Sequence, residues 1–177
     1  MAWATMLKTA APYQDARAAN AMTDLEPDNP SQAGIPSTRG PTREYTSAGI
    51  TVIWDATRCI HTGRCLRELP DVFDLNQRPW VDVEAATAEE IATAIRHCPT
   101  DALRYRPGPG LAEEQPDSPT TIEPRFNGPL FVRGRVRIVN RRGEVVGEET
   151  RVALCRCGAS ANKPFCDNSH RRINFRS

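Results

Sequence analysis

A chain of 177 residues holds one ordinary domain or two small ones. It is 39% hydrophobic with a mean hydropathy of −0.52, and no apolar run approaches the roughly 18 residues of a spanning helix, which excludes a helical membrane protein. Its six cysteines fall into two ligand-like groups and the sequence reads as lacking a secretory signal, which argues against a disulfide framework and for a reducing, cytoplasmic setting.

The net charge of +1 hides an asymmetry. Residues 1–45 sum to −1, 46–106 to −2, 107–122 to −3 and 123–177 to +7. A basic segment of this kind invites a nucleic-acid reading. Its arginines, however, alternate along a strand without interleaved aromatics, and no recognition helix is evident. A solvated face that offsets cofactor charge or docks an acidic partner is the simpler expectation.

Residues 1–45 mix Ala, Pro, Ser, Thr, Asn and Asp without a sustained period and read as a disordered tail. Order is expected from near Ala48. Ile50 to Trp54 is β-branched and apolar, a buried strand. Cys59-Ile-His61-Thr62-Gly63-Arg-Cys65 follows, then a helical turn over Leu66 to Leu69 ended by Pro70. Arg78 to Val81 reads as a second strand. Thr87-Ala-Glu-Glu90 is a capping box that opens a helix running to about His97. Cys98-Pro99 and a last strand over Ala102–Tyr105 close this segment.

Arg106-Pro-Gly-Pro-Gly110 breaks structure, and the Pro-rich, acidic stretch to Pro124 reads as a linker. Residues 128–154 have the pattern of a β-hairpin. Val132, Val136 and Ile138 fall on one face, Arg133, Arg135 and Arg137 on the other, and Asn140-Arg-Arg-Gly143 forms the turn. The hairpin leads into Cys155-Arg-Cys157-Gly-Ala-Ser160-Ala-Asn-Lys-Pro164-Phe-Cys166-Asp167-Asn168-Ser169-His170, which sets three cysteines and a histidine within sixteen residues. Thiolates select zinc, copper(I) or iron–sulfur clusters, and imidazole suits zinc and iron. The Cys-x-Cys pair is tighter than the two-to-four-residue spacing of structural zinc sites. Beyond the loop, Ile173 and Phe175 are expected to pack under the bound centre.

Cys155, Cys157, Ser160, Pro164, Cys166, Asp167, Ser169 and His170 together resemble the signature of the CDGSH iron–sulfur family. Asn168 departs from it, standing where the family has Gly. The family glycine implies a left-handed backbone, which Asn tolerates next best. The resemblance implies a [2Fe–2S] cluster, with Cys155 and Cys157 on one iron and Cys166 and His170 on the other. One neutral imidazole for a thiolate makes reduction easier and adds a proton switch, since imidazole binds metal only when deprotonated.

The earlier segment resembles the divergent single-cluster ferredoxin family over residues 46–106. Ferredoxin clusters are held by Cys-x₂-Cys-x₂-Cys with a distant Cys-Pro. Cys59 and Cys65 take the outer positions, Thr62 the middle one, and Cys98-Pro99 the distant one. The resemblance implies a second centre on Cys59, Cys65 and Cys98. It would be [3Fe–4S] on three thiolates, or [4Fe–4S] with a fourth ligand from His61, Thr62, water or a partner. The plainer role for His61 is a loop residue donating to a carbonyl or sulfide. His97 reads as a helix C-terminal residue interacting with the dipole.

The expected architecture is therefore α+β in two small modules. The tail covers 1–45, a ferredoxin-like single-cluster domain 46–106, a linker 107–124 and a β-rich CDGSH domain 125–177. The expected function is electron carriage rather than catalysis, with a reductase or oxidase as redox partner, no nucleic acid and no membrane. The alternatives are a cluster donor or redox/pH sensor that releases a labile [2Fe–2S] cluster, and a structural zinc module. CDGSH relatives with one such loop often dimerise, so the resemblance implies a homodimer.

Overall fold

The computed structural model describes residues 40–177; most of the expected N-terminal tail lies outside them. All described residues belong to one contact unit, built on two three-stranded antiparallel sheets with short helices. None of the described helices is long and apolar enough to cross a membrane.

The first sheet has the order β1 (Thr42–Thr46), β2 (Ile50–Asp55), β3 (Leu103–Pro107). Between β2 and β3 the chain forms α1 (Arg64–Glu68) and α2 (Ala88–Arg96). The expected capping box is present. Thr87 Oγ1 accepts from the Glu90 amide, and the Glu90 carboxylate accepts from the Thr87 amide at 2.9 Å. Ile91 and Ile95, a turn apart on α2, bury completely against Val52, Phe73 and Leu103, so the helix is held by its apolar stripe.

Two expectations fail here. β1 lies inside the stretch read as tail. Its five residues are polar, and only Tyr45 is half-buried, so neither composition nor alternation marks it. It forms because β2 offers a free edge and because Glu44 receives both terminal nitrogens of Arg106 from across the sheet. Arg78 to Val81 is not a strand; it contributes a single bridge, Phe73 to Val81. Pro79 has no N–H for a ladder.

The second sheet has the order β4 (Thr121–Pro124), β5 (Leu130–Val139), β6 (Val145–Leu154), followed by α3 (Ser169–Arg172). The β5–β6 hairpin matches its sequence pattern. Asn140 Oδ1 accepts the amides of Arg142 and Glu144 at 2.8 and 3.1 Å, and Gly143 takes φ 82°. Val132, Val136 and Ile138 pack with Val152 and Phe165. The end of the expected linker is strand β4. The chain before it crosses β5 so closely that a Cβ on Gly134 would stand 2.6 Å from the Cα of Thr120. Ile173 does not pack inward as expected; it is 51% exposed. Phe175 instead lies under Arg156, whose guanidinium is 5.5 Å from its ring centre.

Candidate metal centres

Strand β6 delivers Cys155, and the chain folds back along it. The Cys155 amide donates to the Pro164 carbonyl and the Cys166 amide to the Ala153 carbonyl, both at 2.8 Å. Leu154 and Phe165 form a bridge between these two bonds. Buried Ser160 pins the loop from inside, donating to the Phe165 carbonyl at 2.7 Å and accepting the Asn162 amide at 3.0 Å. Asp167 accepts the amides of Ser169 and Ala161, each at 2.9 Å. Burial pushes its carboxyl upward. The hydrogen bonds from Ser169, Ala161 and Ser160 outweigh that and hold it down at about 2. Asn168 takes the left-handed conformation, φ 69° and ψ 7°, as the family glycine would, and starts the turn that presents His170.

The four side chains singled out in this loop come as two pairs. The sulfurs of Cys155 and Cys157 are 3.8 Å apart, and Cys166 Sγ is 3.5 Å from His170 Nδ1. A tetrahedral ion with ~2.3 Å bonds to sulfur and ~2.0 Å bonds to nitrogen spaces its ligands about 3.8 Å (S to S) and about 3.5 Å (S to N). Each pair thus has the span of two ligands on one metal. Among the described residues, no group of three or more His, Cys, Asp or Glu side chains is gathered around a single-ion position.

The thiols are tuned unequally. Burial pushes Cys155 up, but the amides of Ser160, Gly158 and Cys157 and the Cys157 thiol bring it below its ordinary value. Cys166 is pushed up by burial and by the nearby charges of Cys155, Asp167 and Cys157, against the Asn168 amide that points at its sulfur from 3.4 Å. Burial and Arg171 lower His170, which favours the neutral imidazole that binds metal.

The second group lies between β2, α1 and the end of α2. Cys59 ends the turn after β2, Cys65 sits in α1, and Cys98 follows the α2 cap residue His97. Arg64 donates to the His97 carbonyl at 3.4 Å, and His97 Nδ1 meets Glu68 at 2.5 Å, so α1 and the Cys98 segment are tied side by side. Burial, then Cys98 and Cys59, push the Cys65 thiol up to about 11. Burial and Cys98 also raise Cys59, against the amide of His61 and the Trp54 side chain. Thiolates at these positions would be soft donors of the kind that bind iron or zinc.

Cys59 and Cys65 line a cavity of about 930 Å³ together with His61, Trp54 and Trp80. His61 Nδ1 is 3.8 Å from Cys59 Sγ, and φ there is 50°. Thr62 enters this neighbourhood through its backbone, its carbonyl accepting from Arg67 Nη1 at 3.1 Å.

Two arginines absent from the sequence reading connect the sites. Arg58, next to Cys59, is buried over the ring of Phe165, next to Cys166. Arg151, on β6, reaches the Cys98 carbonyl. No sequence signal marks Arg151, which alternates with Glu149 along β6 as a solvated face would.

Residues 127–171 match the family described as iron-binding zinc finger CDGSH type, and residues 45–108 match the divergent 4Fe-4S mono-cluster family. The chain is also similar to the uncharacterized protein YjdI of Escherichia coli strain K12, 33% identical over 64 residues, which is 36% of this chain and 84% of the relative. The counterpart from Escherichia coli O157:H7 matches to the same extent. Both families bind iron or iron–sulfur centres, and the donor sets on the two loops fit that chemistry. The chain is thus an iron–sulfur protein that belongs to the divergent 4Fe-4S mono-cluster family through residues 45–108 and to the CDGSH type through residues 127–171.

Proposed function

We propose that the chain is an electron carrier with two iron–sulfur centres. Cys155 and Cys157 hold one iron of a [2Fe–2S] cluster, and Cys166 and His170 hold the other. Cys59, Cys65 and Cys98 hold a [3Fe–4S] or [4Fe–4S] cluster in a ferredoxin-like module, with His61 the better placed candidate for a fourth ligand. The observation that carries this reading is the separation within the two pairs, 3.8 Å and 3.5 Å, each fitted to one tetrahedral metal. Such centres, when bound, supply one-electron chemistry.

The chain's own residues do the rest. The amides of Ser160, Gly158 and Cys157 favour the Cys155 thiolate, and burial lowers the His170 pKa. Ser160 and Asp167 hold the loop closed. In this reading the chain itself is assigned no catalytic role. A protein reductase or oxidase is the partner, the cytoplasm the setting, and a homodimer the expected assembly. Iron and acid-labile sulfide analysis of anaerobically purified protein, with EPR of oxidised and reduced samples, tests the reading. A folded, colourless protein with zinc and no sulfide overturns it.

The cluster-donor alternative is favoured by one feature. Cys155, Cys157 and His170 are all partly exposed, so an acceptor has access to the loop. Movement of the cluster to an apo-ferredoxin, with no reduction by a flavin reductase, would select the donor over the carrier.

A further inference from the structure

Residues 57–60 of the first module are gripped on both sides by the Cys155–His170 loop of the second. Asn162 Nδ2 donates to the Thr57 carbonyl at 3.1 Å, and Asn168 Nδ2 donates to the Ile60 carbonyl at 2.7 Å. Between these bonds Arg58 lies 3.5 Å from the ring centre of Phe165. Its guanidinium meets Glu149 of β6 at 3.4 Å, and both side chains are 1% exposed. Ile60 packs against Cys166 and Ala153 in a small buried cluster. Cys59 and Cys166 are therefore linked by one peptide unit, about 3.8 Å between Cα atoms, and one apolar contact of about 4 Å.

The residue at position 168 fits this arrangement. Glycine would satisfy the left-handed backbone, but it has no side-chain carboxamide to reach the Ile60 carbonyl. Asparagine satisfies both requirements. The burial of a charged pair, Arg58 and Glu149, between the loops is costly unless the geometry is fixed, and the two asparagine bonds fix it.

We infer that this contact makes the two centres one coupled redox unit, in which Ile60 bridges the ligand loops and Arg58, Asn162 and Asn168 are positioning residues that set one separation. The inference rests on the two-centre reading above. Coupling requires no bond change and no proton. With both centres bound, an electron lost by one would be gained by the other, and the electrons would be supplied by a one-electron donor protein of the flavoprotein or ferredoxin class.

The test uses the full-length holo protein, reduced stepwise with dithionite and followed by EPR, beside Asn168→Gly, Asn168→Asp and the double variant Asn162→Ala/Asn168→Gly. Glycine preserves the left-handed turn and aspartate preserves the side-chain size, while each removes the donor to Ile60. The wild type is expected to show splitting or enhanced relaxation of the C-terminal signal once both centres are reduced. The variants should lose that interaction with unchanged iron and sulfide content. Unsplit, independent signals from two reduced centres in the wild type overturn the coupling alone. So does an interaction unchanged in the double variant, or loss of a centre in both single variants. A wild-type protein without iron and sulfide overturns the two-centre reading itself.

Discussion

Arg133 and Arg151 face each other across β5 and β6, and both reach into the carbonyl end of α2. Arg133 Nη1 donates to the Arg96 carbonyl at 3.0 Å, and Arg151 Nη1 donates to the carbonyls of Ile95 and Cys98, each at 2.6 Å. Like charges opposed on neighbouring strands repel. Here the partial negative charge of a helix C-terminus, with Asp101 and Glu114 on Arg151 and Asp117 on Arg133, offsets the repulsion. The second module thus completes the hydrogen bonding of the helix that delivers Cys98.

Arg151 should accordingly be the costliest of the exchangeable arginines. Its side chain is 1% exposed against 33% for Arg133. Burial alone would lower its pKa, but Asp101 and Glu114 keep it above the ordinary value. Arg151→Met breaks the buried Arg151–Asp101 ion pair, and loss of one member of a buried pair costs about 3–5 kcal/mol. The holo protein should melt roughly 10 °C lower, and the Cys59/Cys65/Cys98 centre should be lost first. Arg133→Met should cost about 1 kcal/mol. Calorimetry with optical detection of cluster loss checks both values.

The sequence made the ligand loops legible because metal chemistry imposes its own spacing. Cys155, Cys157, Cys166 and His170 stand out at any level of folding, and the structure brings them into pairs. The helix that ends just before Cys98 was legible from the capping box at Thr87 and the apolar stripe of Ile91 and Ile95. Arg58, Glu149 and Arg151 were not legible. On a strand, Glu149 and Arg151 alternate as a solvated face does, and only the arrival of the other module turns that face into an interface. β1 was missed for a related reason: an edge strand is held by its neighbour's backbone, which leaves no trace in its own composition.

Acid should weaken α2 through Glu90. Hydrogen bonds from the Thr87 hydroxyl and amide hold its carboxyl below the ordinary value of 4.5. A depressed folded-state pKa contributes stability that is present above the unfolded value and is lost as pH falls through the folded one. The stability difference between wild type and Glu90→Gln should thus be constant from neutral pH down to about 5 and shrink below about 4.5. Denaturant midpoints measured at each pH report it. A difference that grows on acidification would assign the helix start to some other group.

His61 should decide the nuclearity of the first centre. It shares the cavity wall with Cys59 and Cys65, 3.8 Å from Cys59. If it completes a [4Fe–4S] centre, His61→Ala should lower the iron content by one per chain and convert the EPR signal of the oxidised protein to that of a three-iron centre. If it serves only as a hydrogen-bond donor to sulfur, the iron count should stay fixed and the potential should fall. Thr62→Ala should change neither quantity.

His170→Cys tests the C-terminal ligand set. The pair Cys166–His170 is spaced for one metal at 3.5 Å, and a cysteine keeps a donor on the same turn of α3. Replacing a neutral imidazole by a thiolate adds one negative charge to the set, so reduction becomes harder. Two such exchanges separate roughly −150 to +300 mV in Rieske centres from about −400 mV in plant-type ferredoxins, so one should lower the potential by on the order of 100 mV. The loss of absorbance in mild acid should also shift, because protonation of the imidazole, which burial and Arg171 move below the ordinary histidine value, no longer competes with the metal. Spectropotentiometry of both proteins gives the first quantity and an absorbance titration the second. An unchanged potential would remove His170 from the ligand set and return the loop to a three-cysteine site.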